Sequence, residues 1–179
     1  MTSPTPARPL NVYLNDHLTG AFGGAALARR MADTHGEDSR AAELRTLARE
    51  VEEDRDTLVR IMRRLGVPVH RYRTWIGLAA ERIGRLKPNG TLVHRSPLSD
   101  LVELEAMRTG VEGKAALWRA LRAVADRDPR LDTAELDRLA RRADGQARTL
   151  TGWHRAVSAE VFTPAGAASG RGADPAPGR

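Results

Sequence analysis

From Leu44 onward, every third or fourth residue falls into one stripe: Leu44, Leu47, Val51, Asp54, Leu58, Ile61 and Leu65. Six of the seven are apolar and the middle one is an aspartate. This spacing is that of one face of an α-helix. A similar face runs through Leu10, Leu14, His17, Ala21, Gly24, Ala28 and Met31, and another through Leu136, Leu139, Ala143, Ala147, Leu150, His154, Val157 and Val161. Leu98, Leu101, Val102, Glu105, Thr109, Glu112 and Ala116 share a side of a further stretch. No segment alternates with the period of a strand, and no internal repeat is present. The pattern predicts an all-α chain with four long helices, hence a four-helix bundle.

Breaks in the pattern set the limits. The first helix is predicted from about Pro9 to His35, with Gly36 ending it. The second is capped by Asp38 or Ser39 and runs to Leu65, before Gly66-Val67-Pro68. In the connection that follows, Tyr72, Trp75, Ile76, Ala79, Ile83 and Leu86 mark a short extra amphipathic helix, broken by Lys87-Pro88-Asn89-Gly90. Ser96-Pro97 opens the third long helix with an N-cap and a proline at the first helical position. It extends to about Asp126. Asp132, with Glu135 three residues on, opens the fourth, which extends to about Phe162. The bundle domain is thus 9–162. Residues 1–8 form a flexible N-terminus, and 163–179 a disordered Gly/Ala/Pro-rich tail.

Composition narrows the chemistry. The chain has 179 residues, enough for one domain with a core, and no cysteine, so disulfides and thiol chemistry are excluded. Aromatic residues make up only 4%, so the core rests on Leu, Ala, Val, Ile and Met. The N-terminus lacks the apolar stretch of a secretory signal, and the apolar run Gly20–Ala28 is too short to span a bilayer. The expectation is a cytoplasmic protein without a transmembrane segment.

Each apolar stripe carries an ionisable residue. His17, Asp54 and His154 occupy three of them, and Glu105 and Glu112 lie two turns apart on the other. Buried charges must be paired, neutralised or metal-bound. Carboxylates and imidazoles on facing helices suit iron, manganese or zinc. The competing reading pairs Asp54 with His17 or a neighbouring arginine as a polar pin, and links Glu105, Arg108 and Glu112 in a surface ladder.

The segments LNDHLTGAFGG, EVEEDRDTL and SPLSDLVELEAMRTGVEGKAALWRAL resemble those of uncharacterised ferritin-like bundle proteins, over most of residues 10–162. The resemblance implies a ferritin-like bundle. Di-iron members carry Glu on two helices and Glu-x-x-His on the other two. This chain departs from that set: Glu50-x-x-Glu53 and Glu53-x-x-Asp56 have no histidine, and Thr151-x-x-His154 has no glutamate. Topology matters as well. An up-down-up-down order brings His17, Asp54, Glu105 and His154 to one level. A connection crossing the bundle's length, which the resemblance favours, moves His154 roughly 20 Å from His17. In that case Glu105 and His154 still pair, and Glu112 approaches Glu50 or Asp54.

The connection also concentrates charge. Residues 60–95 hold nine Arg and Lys against one acid, Glu81, whereas the whole chain is only +6. Arg71, Arg73, Arg82 and Arg85 flank the short helix and offer a surface for an anionic membrane or nucleic acid. The alternative is that Trp75, Ile76 and Ile83 cover the bundle while the arginines stay solvated. Three functional readings result: a non-enzymatic interaction or structural bundle, with homo-oligomers allowed; a metal-binding, oxidative bundle using His17, Asp54, Glu105, Glu112 and His154; and an anionic-surface binder. Whether the chain is an enzyme stays open.

Overall fold

A computed structural model describes residues 8–35, 40–69 and 97–163. Four helices make up most of them: α1 (Arg8–Thr34), α2 (Ala41–Arg64), α3 (Pro97–Ala125) and α4 (Thr133–Phe162). No strand occurs among the described residues. The short helix expected between α2 and α3, the caps at Asp38 or Ser39, the glycine stop at Gly36 and the tail from 164 lie outside the described residues, as does the N-terminus up to residue 7.

The helix ends follow from local chemistry. The Asp132 side chain accepts the Glu135 backbone N–H at 3.1 Å and caps α4. The Glu135 carboxylate pairs with Arg64 of α2 at 2.5 Å. At the end of α2, Gly66 takes φ of +70°, which a side chain would strain. The Val67 N–H then reaches the Met62 carbonyl at 2.9 Å, and the Gly66 N–H reaches that of Arg63 at 3.1 Å. Met62 and Val67 are both buried, completing a Schellman stop. Pro97 is the first residue of α3. Proline fits there because its missing N–H would have had no intrahelical partner.

Contacts between helices set the direction of each. α1 and α2 pack together, as do α3 and α4, and α1 also packs on α3. Arg30, near the end of α1, holds Glu103, near the start of α3, at 2.8 Å, and His35 meets Asp100 at 3.5 Å. At the opposite end, the Leu65 carbonyl accepts from Arg130 in the α3–α4 turn at 3.2 Å. The start of α3 therefore lies at the other end of the bundle from the end of α2. Leu65 and Pro97 are separated by a helix length, about 40 Å. Every adjacent pair of helices is antiparallel, which sets opposite dipole ends beside each other.

The core is aliphatic. All seven residues of the α2 stripe are buried, Asp54 among them. Leu14, Leu18, Ala28 and Met31 of α1 join them, with Met107, Val111, Trp118 and Leu121 of α3 and Leu136, Leu139, Ala143 and Leu150 of α4. Each fully buried large side chain of this kind contributes about 1.5–3 kcal/mol. Between α2 and α4 the backbones have little direct contact, and long polar side chains span the gap.

Candidate functional site

The aspartate of the α2 stripe is the centre of a polar cluster. Asp54 is 1% exposed. One carboxylate oxygen accepts from Lys114 of α3 at 2.5 Å, and the other from Arg142 of α4. The Lys114 ammonium also donates to the Gln146 amide oxygen at 2.6 Å. The Gln146 NH₂ donates in turn to Glu50 at 2.7 Å. Arg142 spends its second terminal nitrogen on Glu53 at 3.0 Å. Helix periodicity explains why α2 supplies three acids: Glu50, Glu53 and Asp54 lie three and four apart, on one flank. Among the described residues, the buried Arg142 Nε finds no hydrogen-bond partner, nor does the Trp118 indole N–H.

The charges are strongly coupled. Burial lowers the Lys114 pKa below its ordinary value, against the pull of the Asp54 charge and hydrogen bond, while Arg142 adds a repulsion that lowers it further. For Arg142, burial also works against the charged form. Its hydrogen bond to Asp54 and the charges of Asp54, Glu50 and Glu53 outweigh that, and the pKa rises. The ammonium therefore sits among oxygens as a built-in cation.

The other candidate residues lie elsewhere. His17 is half-buried, with its ring edge-on to Tyr13 at 4.5 Å between centroids. Burial lowers its pKa, opposed by the Asp16 charge. Glu105 meets His154 at 3.0 Å, the pairing expected for a crossing connection. Glu112 is exposed and lies 3.8 Å from Arg108 on its own helix. The expected face of α3 was rotated by about one residue, roughly 100°: Leu101, Leu104, Met107, Val111, Ala115 and Trp118 are buried, whereas Glu105, Thr109, Glu112 and Ala116 are exposed. Asp54 pairs with a lysine and a distant arginine. Among the described residues, no three His, Cys, Asp or Glu side chains converge to hold a metal ion. Arg71, Arg73, Arg82 and Arg85 lie outside the described residues.

Lys114, Arg142 and Gln146 are the members that the periodicity did not mark. One signal was present for Lys114. It is one of only two lysines among 29 basic residues, and it falls between Val111 and Trp118 on the true core face.

Beside the cluster, the gap between α2 and α4 opens into a groove of about 590 Å³. Glu43, Thr46, Leu47 and Glu50 line one wall. Gly145, Thr149 and Trp153 line the other, with Arg142 and Gln146 at its inner end. No described helix is long and apolar enough to cross a membrane. Comparisons with protein-family models, with curated proteins and with solved structures find no match.

Proposed function

We propose that this chain is a ferritin-like helical bundle with a non-enzymatic, structural or interaction role, its buried polar cluster pinning α2, α3 and α4 in register. The carrying observation is the double compensation of Asp54 by Lys114 and Arg142. Both carboxylate oxygens are already engaged by fixed cations, and a metal ion would have to displace an ammonium at 2.5 Å. Polar groups of this kind fix register at some cost in stability. The outward position of Glu105 and Glu112 supports the same reading, because it removes two carboxylates from the interior. The crossing order of the helices supports the ferritin-like part.

The metal-binding alternative draws on one observation, the carboxylate–imidazole pair Glu105–His154. Elemental analysis of untagged protein, purified without chelator and then exposed anaerobically to Fe(II), Mn(II) or Zn(II), separates the readings. The structural reading expects a folded protein with substoichiometric metal and an unchanged melting temperature. Stoichiometric metal that is lost in Glu105→Gln, His154→Ala or Asp54→Asn would replace it with the metal-binding reading.

A further inference from the structure

The outer face of α4 carries a stripe of arginines that the bundle leaves without partners. Arg138, Arg141, Arg148 and Arg155 follow one another at intervals of three, seven and seven residues. That spacing sets them on one side of the helix over about 25 Å of its axis. All four are exposed, whereas Leu136, Leu139, Ala143 and Leu150 of the same helix are in the core. None of the four makes a hydrogen bond or ion pair among the described residues. By contrast, Arg119 is held by Asp144, Arg122 by Asp126 and Asp137, and Arg142 by Asp54 and Glu53.

The placement of the α4 acids creates this stripe. The helix as a whole is nearly neutral, with five arginines against four acids. Glu135 turns to Arg64 of α2, and Asp137 and Asp144 turn to Arg122 and Arg119 of α3. Asp137 and Asp144 each stand four residues before an arginine of the stripe, the spacing of a helical ion pair, yet both are spent on the neighbouring helix. Glu160, five residues past Arg155, is off the stripe. Arg138 and Arg141 are therefore like charges at three-residue spacing, which opposes helix formation rather than helping it. Gly145 and Gly152 lie between the arginines, and the Arg148 guanidinium lies back toward Gly145, 3.9 Å from where a Cβ would stand.

We propose that this stripe docks the phosphate backbone of a nucleic-acid duplex without reading its sequence. Each guanidinium presents parallel N–H donors that match phosphate oxygens. A duplex carries one charge per about 1.7 Å of its axis, so about 15 phosphate charges run beside a stripe of this length. The two glycines leave room for that backbone to approach the helix. None of the large exposed apolar side chains lies between Arg138 and Arg155, so this face has nothing to bury in a lipid headgroup layer. The stripe is turned away from the core, so this inference goes beyond the role proposed for the polar cluster, and either can fail alone.

The test is fluorescence anisotropy of a labelled DNA duplex of mixed sequence, titrated with the full chain at several salt concentrations. Four neutralised phosphates give a slope of log K against log salt of about −3.6, hence about a hundredfold loss of affinity between about 50 and 200 mM salt. Each single Arg→Gln change at 138, 141, 148 or 155 should weaken binding and reduce that slope by about one. The fourfold Gln variant should lose binding while keeping its helical content and melting temperature, since glutamine is a good helix former. Gln at Arg71, Arg73, Arg82 and Arg85 together is the control and should leave binding intact. Absence of binding by the wild type at low salt, an unchanged slope in the fourfold α4 variant, or loss confined to the control variant would overturn the proposal. Tighter binding to anionic lipid vesicles than to the duplex at equal phosphate concentration would overturn it as well.

Discussion

Asp54 and Lys114 allow the buried cluster to be tested by a double-mutant cycle. Asp54→Leu leaves the charges of Lys114, whose side chain is 14% exposed, and Arg142, whose side chain is 26% exposed, facing an apolar side chain. Removing one partner of a buried pair costs about 3–5 kcal/mol. Lys114→Met is milder, because Arg142 still holds one Asp54 oxygen. What it strands is the other oxygen and the Gln146 amide oxygen, for about 1–3 kcal/mol. The double variant removes both charges together. Arg142 then retains Glu53 at 3.0 Å and a path to solvent. Replacing a buried pair by apolar residues of similar volume is often neutral, so the double variant should fall within about 2 kcal/mol of the wild type. Urea denaturation followed by circular dichroism at pH 7 reads all four corners, with equal m-values as the check on two-state behaviour. In thermal terms Asp54→Leu lowers the midpoint by roughly 6–20 °C for a chain of this size. Additive losses, or an Asp54→Leu cost below about 1 kcal/mol, would refute the reasoning, because they would mean that the charges are not held away from water together.

Lys114 also makes stability depend on alkaline pH. Burial lowers its folded pKa below 10.5, so on unfolding it takes up a proton in the window between the two values, and stability rises with pH toward 10.5. The wild type should therefore gain on Lys114→Met across that window, and a flat difference would show that Lys114 is not desolvated. His17 acts on the acid side. Burial lowers its pKa from 6.5, so the unfolded chain binds the proton first as pH falls, and stability is lost below 6.5. His17→Phe should remove that loss, as read by melting temperature against pH. Two glycines should respond with opposite signs. Gly66→Ala forces a side chain to φ of +70° and costs about 1–2 kcal/mol, whereas Gly145→Ala sits in mid-helix with room for its Cβ and gains about 0.5–1 kcal/mol. Asp132→Ala removes the α4 cap and costs about 1 kcal/mol by denaturant midpoint.

Where side chains are aliphatic, the sequence reads directly. The α2 stripe is buried from Leu44 to Leu65, and Pro97, Asp132 and Phe162 stand at the helix limits expected of them. These features depend on local chemistry and on a period that burial enforces. The direction of α3 and α4 does not, because an apolar stripe reads the same whichever way its helix points. Contacts between helices distinguish the two arrangements, chiefly charged pairs such as Arg30–Glu103 and Arg64–Glu135. Asp54 was conspicuous because a short acid cannot reach solvent from the middle of a leucine seam. Its partners were not, because Lys114 and Arg142 have long stems that ordinarily carry a charge outward. Here they carry it inward, and periodicity scores such positions as surface. Leu98 and Val102 drew the expected face of α3 toward Glu105. Leu98 is 51% exposed, and the face that Lys114 shares with Val111 and Trp118 is the buried one.

The polar cluster is also divided along the chain in a way that bears on how the two halves recognise each other. Its three acids, Glu50, Glu53 and Asp54, come from the α1–α2 hairpin, and its two bases from the α3–α4 hairpin. At the rim the signs reverse: Arg30 and Arg64 belong to the first hairpin, Glu103 and Glu135 to the second. A hairpin that met another copy of itself would set acid against acid in the interior and base against base at the edges. Only the unlike hairpin cancels both. This charge pattern favours pairing of the unlike hairpins, since like charges brought together in a water-poor seam are costly. Fragments 1–69 and 97–179 mixed in solution would accordingly find each other in preference to themselves.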